Sequence, residues 1–205
     1  MMAFVKVSSI AAPLMLPNVD TDAIVPSREY QSTATTGFGE KLFANWRYVP
    51  GTRTEIPDFI LNKEPFRRAC ILVSGPNFGC GSSREWAVWG LTQFGIRCVI
   101  AESFGNIFRQ NAVRNGLLTV ALKASEIEHI ARLIQDGDPV TVDLESCVVT
   151  APDGAAFSFE IDAKERQMLL RGLDEIDLTQ THAPAIGEFV SQDSNDRPWL
   201  YAVDR

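Results

Sequence analysis

The chain has 205 residues, enough for one well-buried domain or a domain with a large appendage, and tight for two full domains. Its 45% apolar and 22% charged residues are ordinary for a soluble globular protein. A net charge of −7, with lysines and arginines scattered rather than striped, argues against a nucleic-acid binder, since phosphate backbones demand clustered cations.

The opening "MMAFVKVSSIAAPLMLP" has only a short apolar stretch, which Pro13 interrupts before the acidic turn "NVDTD". It shows no small-residue cleavage pattern, and no run approaches the roughly 20 apolar residues of a membrane span, so a cytoplasmic protein without membrane contact is expected. Residues 3–10 alternate as a first strand, and "PNVDTDAIVPSREY" reads as a turn-rich loop. From 31 to 65 glycine and proline punctuate every short element, which predicts a mobile loop region there.

The middle is regular. "ACILVS" (69–74), "RCVIA" (97–101) and "LLTVAL" (117–122) are short, continuous apolar runs, the pattern of strands buried on both faces. Helical patterns at 83–94 and 103–115 separate them, the second closed by Gly116, so a parallel sheet with right-handed crossovers is expected. After a helix at 124–135, the runs "VTVDL", "CVVTA" and "AAFSFEI" alternate and turn through "PDG", which predicts an antiparallel meander. A last helix spans 162–172, with Asp162 as cap and Gly172 beyond its end. The expected fold class is α/β, a parallel unit beside a second, antiparallel layer.

Cys70, Cys80, Cys98 and Cys147 show no C-x-x-C spacing and no neighbouring histidine, so this chain by itself offers no zinc or iron–sulfur ligand set. Cys70, Cys98 and Cys147 fall in apolar strand-like runs. Cys80 lies in the most unusual stretch, "NFGCGSSREW" (77–86), and a helix start can lower a thiol pKa. Only His129 and His182 could serve it as base, and a packed small residue is the expected role.

That stretch supports three readings. "GCGSSR" opens like a dinucleotide fingerprint, with Glu102 where a ribose-binding acid would sit, but Arg84 occupies the third glycine position. A capped helix explains Ser82 and Glu85 as a capping box, with Gly79 and Gly81 in the tight turn. It leaves Arg84 unexplained, because a cation in the first helical turn opposes the helix dipole. An anion site explains all of these together: helix-start amides, two hydroxyls and a guanidinium converge at the end of a parallel strand, where carboxylates bind. On the residues alone, the cap and the anion site stand level.

"NFGCGSSRE" closely resembles the signature of the swivelling domain of the aconitase superfamily in its stand-alone form, the small subunits of 3-isopropylmalate dehydratases. The resemblance spans nearly the whole chain: "NVDTDAIVP" (18–26), "TGFGEKLFANWRY" (36–48), "SFGNIFRQNAVRNGLL" (103–118) and "GLDEIDLTQTHAPAI…RPWL" (172–200) match family blocks in order. It implies a single swivelling β/β/α domain over 1–205, with a central mainly parallel sheet, a second antiparallel sheet and flanking helices. It also implies a hydro-lyase of leucine biosynthesis that acts on a small diacid with a large-subunit partner. A [4Fe–4S] cluster and the catalytic histidine–carboxylate pairs belong to that partner.

By the same resemblance Ser82 is the catalytic base, Ser83 and Arg84 bind substrate, and Asp22 orients Arg84. Asp20 of the same D-T-D segment can equally form an Asx-turn. The family's usual histidine and proline in "REHAPWAL" are replaced by Trp86 and Val88 in "REWAVWGL". This departure leaves open a relative acting on another branched diacid, such as citraconate or dimethylmaleate. A non-catalytic carboxylate-binding module on the same scaffold also remains open. Trp86, Trp89 and Phe94 read as the packing face of their helix.

Overall fold

The computed structural model describes residues 1–30 and 35–201. Seven strands are formed by the described residues: β1 (Lys6–Leu14), β2 (Ile71–Ser74), β3 (Cys98–Ala101), β4 (Leu118–Ala121), β5 (Pro139–Asp143), β6 (Val148–Thr150) and β7 (Ala156–Ser158). Their order is β4-β3-β2-β1-β5-β6-β7. The pairs β1–β2, β2–β3 and β3–β4 are parallel. The pairs β1–β5, β5–β6 and β6–β7 are antiparallel. The expected parallel unit and antiparallel meander are therefore both present, and β1 belongs to each.

β1 is shared in halves. Lys6–Ile10 pair with β5, whereas Ala11–Leu14 pair with β2, so one nine-residue strand passes from one part of the sheet to the other. This explains why the strand runs through Pro13, four residues past the predicted end at residue 10. Over its second half β1 has β2 on one side and, among the described residues, no strand on the other, and an edge tolerates the missing proline N–H.

The parallel strands are buried on both faces, as their uninterrupted apolar runs require. Leu72, Val99 and Ala101 share one core with helices α3 (Glu85–Phe94) and α4 (Asn106–Arg114), through Ala87, Val88, Leu91, Phe108 and Ala112. Ile71, Val73, Cys98 and Ile100 face a second core. There they meet Val140, Val142 and Val149 of the antiparallel strands, together with helices α5 (Ala124–Leu133) and α6 (Ala163–Arg171). Successive residues thus serve different cores, as the two-residue strand period dictates.

Residues 35–65 carry no strand but contribute much of the first core. Phe38, Leu42, Phe43 and Leu61 are fully buried around short turns and the helix α2 (Ala44–Arg47). The buried Arg47 donates to Gly39 O at 3.1 Å and to Asn62 Oδ1 at 3.2 Å. The part of the predicted loop at 31–34 lies outside the described residues. Cys147 sits at a turn with φ 54° before β6 rather than inside a strand. Helices α7 (Glu175–Gln180) and α8 (Ala183–Asp196) were not predicted, and they bury no side chain. Pro184 and Gly187 obscure the periodicity of α8.

Candidate active site

The segment joining β2 to α3 is held from both sides. Gly79 N donates to Val19 O at 2.7 Å and Cys80 O accepts from Thr21 N at 2.9 Å, both from the loop that follows β1. On the other side Phe78 N donates to Ser103 O at 3.0 Å and Phe78 O accepts from Gly105 N at 2.9 Å, in the loop after β3. The β1–β2–β3 order therefore continues past the strand ends. This places residues 77–84 at the carboxyl end of the parallel strands, where open α/β sheets bind ligands.

Gly79 and Gly81 make the turn, with φ of 72° and 87°. A Cβ on Gly79 would lie 2.2 Å from the ring of Phe108 in α4, so that position excludes any side chain on two grounds.

Ser82 does not cap the helix that follows. α3 begins at Glu85 with Arg84 in the capping position, and no side chain caps it. Glu85 turns instead toward α4, where its Oε1 accepts from Asn115 Nδ2 at 3.0 Å. The capping-box reading of Ser82 and Glu85 is thereby corrected: Asn115, distant in sequence, competes for the glutamate. Ser82 and Ser83 are exposed, and Arg84 is half-buried.

Arg84 lies before the first helical turn, and its guanidinium is met by a carboxylate. Its Nη1 donates to Asp22 Oδ1, a short charge-assisted bond between the loops after β2 and β1. Asp22 lies in α1 (Thr21–Ile24). The same Oδ1 accepts from Ser27 N at 2.9 Å and from the Ser27 hydroxyl. The Ser27 hydroxyl, the Arg84 guanidinium and the Ser27 amide, in that order of effect, hold the Asp22 carboxyl at a pKa of about 2.

Asp20 is the cap of α1, its Oδ1 accepting from Ala23 N at 2.6 Å, so the local reading holds for the first aspartate of D-T-D. Thr21 between the two is buried, and its hydroxyl donates to Ser82 O at 2.8 Å. The three residues of D-T-D thus have three separate tasks, and Thr21 pins the backbone of Ser82. Thr21 and Ser27 complete this arrangement but stand out little in the sequence. The polar residue between two aspartates was the one available signal, and nothing marked Ser27.

Behind Arg84 stands an aromatic wall. The guanidinium carbon lies 5.6 Å from the Trp86 ring centroid, and Trp86 stacks on Tyr30 at 4.4 Å with planes 15° apart. Trp89 and Phe94 pack against the first core as expected, and Val88 is fully buried in it.

The cysteines do not gather. Among the described residues no cluster of three or more histidine, cysteine or acidic side chains forms a metal site. Burial and the Asp20 carboxylate push the Cys80 thiol up rather than down, the opposite of what a helix start would do to it. Burial raises Cys98 further. A cluster needs several convergent thiolates, and dispersed cysteines, with Cys80 and Cys98 pushed toward the thiol, do not fit one. His129 bonds Asp153 at 2.8 Å, and His182 precedes α8. Glu102 lines a groove of about 850 Å³ with Arg109 and Lys123, apart from Ser82 and Arg84.

The aconitase C-terminal domain family matches residues 1–125, and the LeuD_N family matches residues 129–163. The 3-isopropylmalate dehydratase small subunit of Ruegeria pomeroyi is 46% identical over 199 residues, 96% of this chain and 98% of that protein. The chain belongs to the 3-isopropylmalate dehydratase small-subunit family. The small subunit of Cupriavidus necator is 47% identical over 94% of each chain, and that of Leptospira interrogans is 44% identical over 99% of this chain and all of its own. The crystal structure of 3-isopropylmalate dehydratase (leuD) from Methanocaldococcus jannaschii superposes with a TM-score of 0.67 at 27% identity, covering 89% of this chain and 98% of that one. No helix among the described residues is long and apolar enough to cross a membrane.

Proposed function

We propose that this chain is the small subunit of 3-isopropylmalate dehydratase, a cytoplasmic hydro-lyase of leucine biosynthesis. With a large subunit it interconverts 2-isopropylmalate and 3-isopropylmalate through isopropylmaleate. The observation that carries this reading is the Asp22–Arg84 pair beside two exposed serines at the carboxyl end of β2.

Arg84 clamps a substrate carboxylate with parallel hydrogen bonds while Asp22 holds its other face. Ser83 adds a hydrogen bond to the same diacid. Ser82 is the base that takes the proton from the carbon next to a carboxylate and returns it in the reverse direction. The amide-rich start of α3 and the Arg84 charge favour its alkoxide. The carbonyl of Ser82 is fixed by Thr21, so the hydroxyl swings from a still backbone. This chain supplies proton handling and carboxylate recognition. We assign the [4Fe–4S] cluster to the large subunit, since the donor set here does not fit one.

Exposure of Ser82 and Ser83 supports a partner whose surface completes the pocket and excludes water. Residues from the 31–65 segment would line the alkyl side of that pocket. Trp86 beside Arg84 gives a second reading some footing: a relative hydrating citraconate or dimethylmaleate. The deciding experiment co-expresses the chain with its large subunit and assays the purified complex against this panel of diacids. We expect fastest turnover of the isopropylmalates and none by the small subunit alone. Faster turnover of another diacid selects the second reading, and turnover without the partner overturns both.

A further inference from the structure

We infer that Trp86, braced by Tyr30, is a positioning residue that sets the direction of the Arg84 guanidinium and thereby the affinity for a substrate carboxylate. The inference rests on the proposed carboxylate-binding role of Arg84. An arginine outside the helix has long freedom of rotation, and a single bond to Asp22 fixes one nitrogen but leaves the plane free to pivot. Two parallel bonds to a carboxylate require that plane to be set in advance.

The structure provides the second constraint. The Arg84 guanidinium carbon is 5.6 Å from the Trp86 centroid, within cation–π range, on the ring best suited to it. Tyr30 lies against Trp86 at 4.4 Å and 15°. Tyr30 is in turn 6.3 Å from Phe38, which is buried and meets Trp89 edge-on at 5.4 Å. A continuous line of rings therefore ties the guanidinium to the hydrophobic core. The buried indole N–H of Trp86 bonds no described residue, so the ring is placed by its faces rather than by a polar contact. Arg84 is held between Asp22 and Trp86, with carboxylate on one side and π-face on another.

The test compares Trp86→Leu, Trp86→Phe and Tyr30→Leu in the complex with the large subunit, alongside Arg84→Lys. Leucine keeps the position apolar and removes the π-face, whereas phenylalanine keeps a weaker one. We expect Trp86→Leu to raise KM about 2- to 30-fold with kcat nearly unchanged, the range spanned by a cation–π contact. Trp86→Phe should recover most of that loss, and Tyr30→Leu should give a smaller rise in the same direction. In an Arg84→Lys background Trp86→Leu should add less than about twofold, because the oriented group is already gone.

If Arg84→Lys raises KM while Trp86→Leu and Tyr30→Leu do not, the positioning role is overturned and the Arg84 assignment stands. If Arg84→Lys leaves KM unchanged, the Arg84 assignment itself fails. Equal losses in Trp86→Leu and Trp86→Phe with a lowered melting temperature would mean a packing role only and would overturn the inference. Should Trp86→Leu not fold, Tyr30→Leu, at a residue 41% exposed, carries the same comparison.

Discussion

Arg84 and Asp22 stand 62 positions apart in sequence yet share a hydrogen bond, each at the end of a different parallel strand's loop. One carboxylate oxygen of Asp22 gathers Arg84, the Ser27 hydroxyl and the Ser27 amide. The pair links the loop that presents Ser82 to the loop that follows β1, so the geometry of the two loops is joined in one contact.

Replacing Ser82 separates chemistry from folding. Since Ser82 caps no helix, Ser82→Ala should leave the melting temperature within about a degree of the parent, where loss of a true cap costs about 0.5–2 kcal/mol. Turnover of the complex should fall by about 10²–10⁴, the usual loss of a general base, with substrate binding little changed. Thermal melts and steady-state kinetics on one preparation decide it. Wild-type turnover in the folded variant would remove Ser82 from the mechanism.

Asp22→Asn should weaken substrate binding and change acid stability in a definite direction. The Asp22 carboxyl titrates near 2, below its ordinary 3.8, so its stabilising effect is full above about pH 4 and is lost as pH falls through 2. The side chain is 51% exposed, so the pair contributes no more than about 1 kcal/mol. Unfolding at several pH values should show Asp22→Asn less stable at pH 6, with the gap closing between pH 4 and pH 2. A gap that widens on acidification would contradict the pairing.

Gly79 and Gly81 offer a matched comparison. Both have positive φ, so either alanine variant pays left-handed strain of about 1–2 kcal/mol. Only at Gly79 does the new Cβ strike Phe108; at Gly81 its nearest neighbour is 3.4 Å away. Gly79→Ala should therefore be the less stable by a further 1–3 kcal/mol, roughly the cost of overpacking a core. Denaturant melts of the two variants measure the difference, and equal losses would mean that Phe108 moves aside freely.

Within 31–65 amide exchange should divide sharply. Phe38, Leu42, Phe43 and Leu61 are core residues and should protect the amides near them, whereas Pro50–Thr54 are exposed around a turn and should exchange fast. We expect the fast amides to slow when the large subunit binds. Uniformly slow exchange across the segment in the free chain would remove mobility from the account.

The small subunit purified alone should carry no stoichiometric iron and should acquire dehydratase activity only on mixing with the large subunit. The four cysteines are dispersed, and Cys80 and Cys98 are held as thiols. Iron analysis and an activity titration against the partner test this together. Cluster iron bound by the isolated chain would overturn the assignment to the large subunit.

The parallel strands, the meander and the helices between them were legible in the sequence because their signals are local. Continuous apolar runs, alternation and cap residues such as Asp162 and Gly172 act within a few positions of themselves, and the structure keeps Asp162 and Gly172 in their predicted places. "GSSR" stood out by its own composition, but composition left a helix cap and an anion site level, and only the resemblance to the family chose between them. Long-range competition decided the rest. Glu85 abandoned Ser82 because Asn115 came within reach, β1 extended through Pro13 because its second half lay at an edge, and the irregular 35–65 segment sank four large side chains into a core assembled from distant strands. Sequence spacing cannot report which of two partners a side chain meets when one is 3 residues away and the other 30, since hydrogen-bond energy depends on separation in space. For that reason Ser82 and Arg84 could be named from the chain alone, but the Asp22–Arg84–Trp86–Tyr30 arrangement existed only once the fold had closed.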